Sequence, residues 1–213
     1  MGTRSQPSLE VIASLKPDLI IADADRHTGV YPELLKIAPT LLLPSRRATY
    51  QSHLDSAALI GKVIGKEKAM QYRLKQHKQV MQKFSQQLAS LHKQTVLFGV
   101  ALEHGFYAQS ADSYAGGVLS LLGMRTALTL RNDKASRQIN LEQLLAMNPD
   151  YLIVGDYTEN NITLQWHKHP LWNVLKTVRN QHVHHVDGNL WGRCRGILAA
   201  EYMARDLVAM AIK

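Results

Sequence analysis

Cysteine is almost absent: Cys194 stands alone, so no disulfide can form within the chain and the redox compartment is left open. Long apolar runs are missing as well. No uninterrupted stretch reaches the roughly 18 residues a membrane-spanning helix needs, and the opening MGTRSQPSLE has no apolar segment of the kind an export signal requires. If the protein is exported, its signal lies outside this sequence. Aromatic residues make up only 7%, the lysines and arginines are dispersed, and no RNP, zinc-finger or basic-zipper pattern occurs, so nucleic acid is set aside as a partner. Acidic residues are outnumbered, 17 against 25 basic ones, giving a formal charge of +8. That surplus suits an anionic ligand and equally suits solvated basic helices. With 46% hydrophobic residues among 213, the chain is globular and holds one large domain or two small ones.

What is present, twice, is one fragment. SLEVIASLKPDLIIAD at residues 8–23 aligns without a gap on NLEQLLAMNPDYLIVG at 140–155: Leu9 on Leu141, Glu10 on Glu142, Pro17 on Pro149, Asp18 on Asp150, Ile21 on Ile153. Each copy reads as a short helix, a Pro-Asp turn and a buried strand. A spacing this long is foreign to solenoids, whose units recur every 20–50 residues or so. It fits two related lobes, the alternative being ordinary turn grammar used twice.

Between the copies, LLKIAPTLLLP supplies a second strand near 40–43, and YQSHLDSAALIGKVIG reads as an amphipathic helix. Residues 66–92 contain no glycine or proline, and Val80, Phe84, Leu88 and Leu91 form an apolar stripe at helical spacing. A helix of that length spans roughly 40 Å at about 1.5 Å per residue, which suits a strut between lobes. Beyond it, TVLFGVA and HVHHV read as strands, SYAGGVLSLLG as a helix closed by Gly123, HPLWNVLKTV as a helix, and GILAAEYMARDLVAMAI as a terminal helix. The alternation predicts an α/β fold of two lobes with mostly parallel sheets joined by one long helix. The expected division is 1–65 for the first lobe, 66–92 for the connecting helix and 93–213 for the second lobe. Two strands are too few for a stable sheet, so the first lobe reads as incomplete.

This order of parts, with the duplicated LE and PD, resembles the helical-backbone class of periplasmic substrate-binding proteins that serve ABC importers of iron-siderophores, haem and cobalamin. GTRSQPSLEVIASLKPDLIIAD, RHTGVY, IAPTLLLPSR, SAALIGKVIGK, PLW and NLWGRCRGILAAE resemble, more narrowly, its members that take iron(III) dicitrate. The likeness runs the length of the chain, except that the family's first lobe opens with further strand-helix units. It implies a periplasmic, monomeric, non-enzymatic binding component that hands a ferric chelate to an inner-membrane permease. It implies no cofactor, the iron being held only as its citrate chelate, and no metal ligand from the protein. Two other readings stay open: a truncated chain that binds nothing, and a metal-cluster enzyme of the same architecture, which would need Cys or His at the crevice loops.

An anionic chelate calls for cations, and guanidinium donates paired hydrogen bonds to carboxylates. Arg4 precedes the first repeat, Arg26 follows the strand LIIAD, and Arg46 follows TLLLP. Loops beyond the carboxyl ends of parallel strands line the ligand crevice in such sheets. From the second lobe, Trp191, Arg193 and Arg195 follow HVHHV, Trp191 being expected to pack on the ligand. The loop after TVLFGVA, with Glu103, His104 and Tyr107, is expected to form the opposite wall. The resemblance also assigns Glu10 and Glu142 to permease docking, one carboxylate per lobe; each opens the helix of its repeat ahead of the Pro-Asp turn, which is expected to set it on an outer shoulder away from the crevice loops. The histidines of HKH (His167, His169) and HVHH (His182, His184, His185) lack the three or four converging ligands of a zinc site and read as surface residues.

Overall fold

A computed structural model describes residues 2–3, 5–130 and 135–211, and the chain divides into two compact units, Met1–Arg47 and Ala48–Lys213. The first contains α1 (Leu9–Ser14), β1 (Ile20–Asp23), α2 (Ala24–His27), α3 (Tyr31–Ile37) and β2 (Thr40–Leu43). β1 and β2 pair in parallel from Ile20↔Thr40 to Asp23↔Leu43. Ala22, Leu34, Ala38 and Leu43 are its buried apolar residues.

The second unit opens with α4 (Tyr50–Val63) and α5 (Glu67–Gln87). The long helix expected over 66–92 thus ends at Gln87 and gives way to a 3-10 turn at Ala89–Leu91. Its buried face carries His77 and Met81, so the apolar stripe runs one residue out of phase with Val80. Tyr50 of α4, Met81 of α5 and Leu88 just beyond it join the apolar cluster that covers one face of the sheet. Helices that share a core belong to one compact body, which is why the units divide at Arg47 and not at either end of the long helix.

There follow β3 (Thr95–Leu102), β4 (Gly105–Gln109), α6 (Tyr114–Leu121), β5 (Arg125–Thr126), β6 (Ser136–Ile139), α7 (Leu141–Met147) and β7 (Tyr151–Asp156). α8 (Ile162–Trp166), α9 (Lys176–Arg179), β8 (Val183–Asp187), α10 (Gly188–Arg193) and α11 (Ile197–Ala211) complete the chain. The strands lie in the order β6-β4-β3-β7-β8, with β5 beside the start of β3. β3, β5, β7 and β8 are parallel, as the alternation predicts. β4 is an addition: it returns antiparallel to β3 through the two-residue turn Glu103–His104, and β6 pairs antiparallel with it. The signal for β4 is present in GFYAQ, where Phe106 and Ala108 are buried and Tyr107 faces the other way, a period of two. HPLWNVLKTV is not one helix but a 3-10 turn, Pro170–Val174, followed by α9.

Both copies of the repeat build the same local structure. Ser8 caps α1 by accepting from the Val11 amide, and Asn140 caps α7 by accepting from that of Gln143. Gln143 returns the bond to the Asn140 amide, closing a capping box. After each helix one residue takes left-handed backbone, Lys16 at φ 46° and Asn148 at φ 39°, which turns the chain into Pro-Asp and the strand.

Alternation along β3 and β7 splits the second unit's interior into two cores. Phe98, Val100, Ile153 and Trp191 lie on one face of the sheet, and Leu97, Phe106, Leu152 and Trp166 on the other. Among the described residues no helix is long and apolar enough to cross a membrane.

Candidate functional site

The carboxyl ends of β3, β7 and β8 bring several of the expected residues to one end of the second unit. Tyr107 lies directly across from Val100, and residues opposed in this way share a sheet face. Val100 in turn abuts α10, since a methyl group on Gly192 would stand 3.0 Å from its Cγ2. Tyr107 and α10 therefore occupy the same face. α10 forms because Asp187, the last residue of β8, caps it through the amides of Asn189 and Leu190. This helix replaces the loop expected after HVHHV and places Arg193 in its last turn, where a cation complements the helix dipole.

Arg193 is exposed, donates from Nη1 to Asn189 Oδ1 at 3.1 Å, and lies with its guanidinium 4.3 Å from the centre of the Tyr157 ring. Arg195 is held quite differently. Its Nη1 donates to the Cys194 carbonyl at 2.8 Å and its Nη2 to the Gly192 carbonyl at 3.0 Å, over the Tyr114 ring. Tyr114 itself donates to the Gly196 carbonyl at 2.6 Å, and burial pushes its phenol well above the usual range.

Trp191, expected against the ligand, is a core residue. It is fully buried 5.2 Å from the Phe98 ring, and its Nε1 donates to Asp206 Oδ2 at 2.8 Å. Once NLWGRC coils into a helix, Trp191 and Arg193 point to different sides, and the larger apolar ring takes the interior.

In the first unit, Arg26 sits in the last turn of α2, directly beyond β1, with Nε 3.7 Å from Asp23 Oδ2 and Nη1 3.5 Å from the Ser5 hydroxyl. Arg46 is exposed in the turn after β2. Arg4 lies outside the described residues.

Glu10 and Glu142 occupy equivalent first-turn positions of α1 and α7, and both are exposed. The shoulder expected for Glu142, away from the crevice loops, is a different place from the one it holds. β6 ends at Ile139 opposite Phe106, one residue into β4 from the turn that closes β3. Glu142, three residues on, thus stands at the carboxyl end of β3. A helix that leads back into a parallel strand must begin at that end of the sheet.

The histidines have protein partners. His182 Nδ1 is 3.1 Å from the Asp150 carbonyl oxygen, and its ring stacks 4.2 Å from that of Tyr151, which also stacks with His184. His185 Nδ1 pairs with Asp156 Oδ2 at 2.6 Å, and His169 caps the turn at Pro170. Among the described residues no three metal-ligating side chains converge.

Sequence reasoning missed one network altogether. His77 is buried, 2.6 Å from the Tyr50 hydroxyl and 2.7 Å from Glu201, whose carboxylate also accepts from Arg73 at 2.8 and 2.9 Å. Burial lowers His77 from its ordinary value, although Glu201 opposes the shift; burial and then Glu201 push Tyr50 up to about 12. Nothing local marks His77, since its burial depends on α11, more than a hundred residues away.

Residues 1–190 match the model of a family described as periplasmic binding protein. The chain belongs to the periplasmic binding protein family. Its members are binding proteins and not enzymes. Within the family, the chain is 47% identical over 208 residues to the Fe(3+) dicitrate-binding periplasmic protein FecB of Escherichia coli, and 40% identical over 208 residues to the Fe(3+)-citrate-binding protein YfmC of Bacillus subtilis. Each alignment takes in 98% of this chain and about two thirds of the relative, 68% and 65% respectively. Among solved structures, the petrobactin-binding protein YclQ of Bacillus subtilis superposes with a TM-score of 0.81 at 26% identity, covering 98% of this chain and 75% of that one.

Proposed function

We propose that this chain is the substrate-binding component of an ABC importer that captures iron(III) dicitrate, or a similar anionic ferric chelate, in the periplasm. The observation that carries the reading is the placement of guanidinium groups at strand ends: Arg26 beyond β1, Arg46 beyond β2, and Arg193 beyond β8. Iron in a dicitrate complex already has its oxygen ligands, so the protein's task is to neutralise and hydrogen-bond carboxylates, for which arginine is suited. Two relatives named for ferric citrate, at 47% and 40% identity, support the same ligand class. Arg4 belongs to the proposed set by its sequence position, and Tyr107 by sharing a sheet face with α10.

Delivery to an inner-membrane permease is the proposed role of Glu10 and Glu142, exposed carboxylates in matching positions. Titration with iron(III) citrate, beside a neutral ferric hydroxamate of similar size, tests the assignment. Strong preference for the citrate complex, weakening as salt rises, is the expected result. Equal affinity for the neutral complex removes the reading.

A further inference from the structure

Arg193 and Arg195 differ by two positions in sequence and by much more in situation. Arg195 spends both terminal nitrogens on carbonyl oxygens just before it, at Cys194 and at Gly192 near the end of α10. Arg193 makes one side-chain bond, to Asn189, and rests its flat face on Tyr157. The seat for that ring is built into α10. Gly188 and Gly192 stand four residues apart and so share one helix face. A methyl group on Gly188 would stand 2.7 Å from Tyr157 Cδ1, and one on Gly192 would stand 2.5 Å from its hydroxyl oxygen. A side chain at Gly188 would also meet the Asp156 carbonyl oxygen at 2.6 Å, and one at Gly192 the Val100 Cγ2 at 3.0 Å, so glycine at both places lets the ring lie close against the helix. The ring is also tied to the sheet, because Tyr157 directly follows Asp156, the last residue of β7, whose carboxylate accepts from Asn161 Nδ2 at 2.9 Å and pairs with His185.

We propose that Tyr157, seated against Gly188 and Gly192, is a positioning residue that presents the Arg193 guanidinium to an anionic ligand, while Arg195 fixes the loop and does not touch the ligand. A long arginine side chain in solvent loses rotamer freedom when it binds. An aromatic face beneath the guanidinium removes part of that freedom beforehand and leaves the hydrogen-bonding edge open to a carboxylate. The proposal rests on the anion-binding reading above for its ligand, but the seat itself does not.

The test has two arms. The first needs no ligand: proton NMR of the Arg193 side chain should show an upfield ring-current shift, kept in Tyr157→Phe and lost in Tyr157→Leu. The second is iron(III) citrate titration. Tyr157→Leu should weaken binding about threefold to fivefold, as loss of an exposed cation–π contact does, and Tyr157→Phe should restore it. In an Arg193→Ala background, Tyr157→Leu should have no further effect on affinity, because its influence passes through Arg193. Arg195→Ala should lower the melting temperature and leave the slope of affinity against salt as in the wild type, whereas Arg193→Ala should flatten that slope.

An absent ring-current shift overturns the proposal, as does an equal affinity loss for Tyr157→Leu with and without Arg193. A flattened salt slope in Arg195→Ala overturns the division between the arginines. If the wild type ignores iron(III) citrate, the ligand assignment fails and the NMR arm still decides the seat.

Discussion

The two copies of the repeat have the same grammar and opposite environments. In the second unit, α7 buries Leu141 and Leu144, and four consecutive residues of β7 are buried. In the first, α1 buries nothing and β1 buries only Ala22. The matched pair is clearest at one position: Ile153 is 1% exposed and Ile21 is 49% exposed. The cap position and the left-handed turn match in both copies and the strand onset agrees to within one residue, so local sequence accounts for the elements. Their burial depends on what lies alongside. β7 sits between β3 and β8 with a core on each face, whereas among the described residues β1 has β2 alone. A pair of strands buries little and holds little stability of its own.

The sharpest way to break this comparison is to cut the same side chain from both copies. Ile153→Ala should cost about 2–5 kcal/mol, as deletion from a packed core does, while Ile21→Ala should stay within about 0.5–1 kcal/mol. Urea unfolding followed by tryptophan fluorescence reads the second unit, since Trp166, Trp172 and Trp191 all lie in it. Hydrogen exchange reads both units: amides of Ile20–Asp23 should exchange far faster than those of Tyr151–Asp156. Equal protection of the two strands would refute the contrast.

For the ligand the two units should count alike. Arg26→Ala and Arg193→Ala should each weaken iron(III) citrate binding by about 1.5–3 kcal/mol, the usual loss for a hydrogen bond to a charged group. A loss confined to one variant would place the ligand on one unit alone.

Acid should act on the second unit in two stages. Burial holds His77 below its ordinary 6.5, so between its folded value and 6.5 the unfolded chain binds more protons. Stability from this group is complete above pH 6.5 and falls as the pH drops below it. Burial alone would raise Asp150, but hydrogen bonds from Lys176 and Thr95 bring it down to about 2 from 3.8. Its contribution is present above pH 4 or so and is lost as the pH falls toward about 2. Tryptophan-detected melting temperatures should follow this course. His77→Gln should flatten the first stage and leave the second, and a first stage that survives the change would assign it to another group.

The smallest effects are expected at the matched glutamates. Glu10→Ala and Glu142→Ala should leave ligand affinity within a few tenths of a kcal/mol, as ordinary surface changes do. Uptake in vesicles carrying the permease should fall, more for the double variant than for either single one, and less so at high salt. Because Glu142 stands at the carboxyl end of β3, this pair also tests whether docking and binding surfaces are separable. Loss of ligand affinity with uptake otherwise intact would join them.

Sequence by itself determined the parts whose causes are local. Ser8 and Asn140 cap helices because a side-chain oxygen reaches an amide three residues on, and the turn at Pro17 or Pro149 is fixed by its neighbours. Most of the long Gly- and Pro-free stretch is helix, as far as Gln87, and the apolar runs at 40–43 and 95–101 are strands. Arg26 and Arg46 could be placed beyond strand ends for the same reason. Tertiary structure alone decided which face of each element is covered. Trp191 became core and Arg193 surface because α10 lies across β7 and Phe98. His77 is buried because Glu201 and Tyr50 arrive from distant helices to satisfy both of its nitrogens. Tyr157 lies beneath Arg193 because two glycines of a later helix leave room for its ring. A side chain's burial is set by surfaces that meet only when distant segments pack, and a periodicity read along one segment carries no record of what its partner will be.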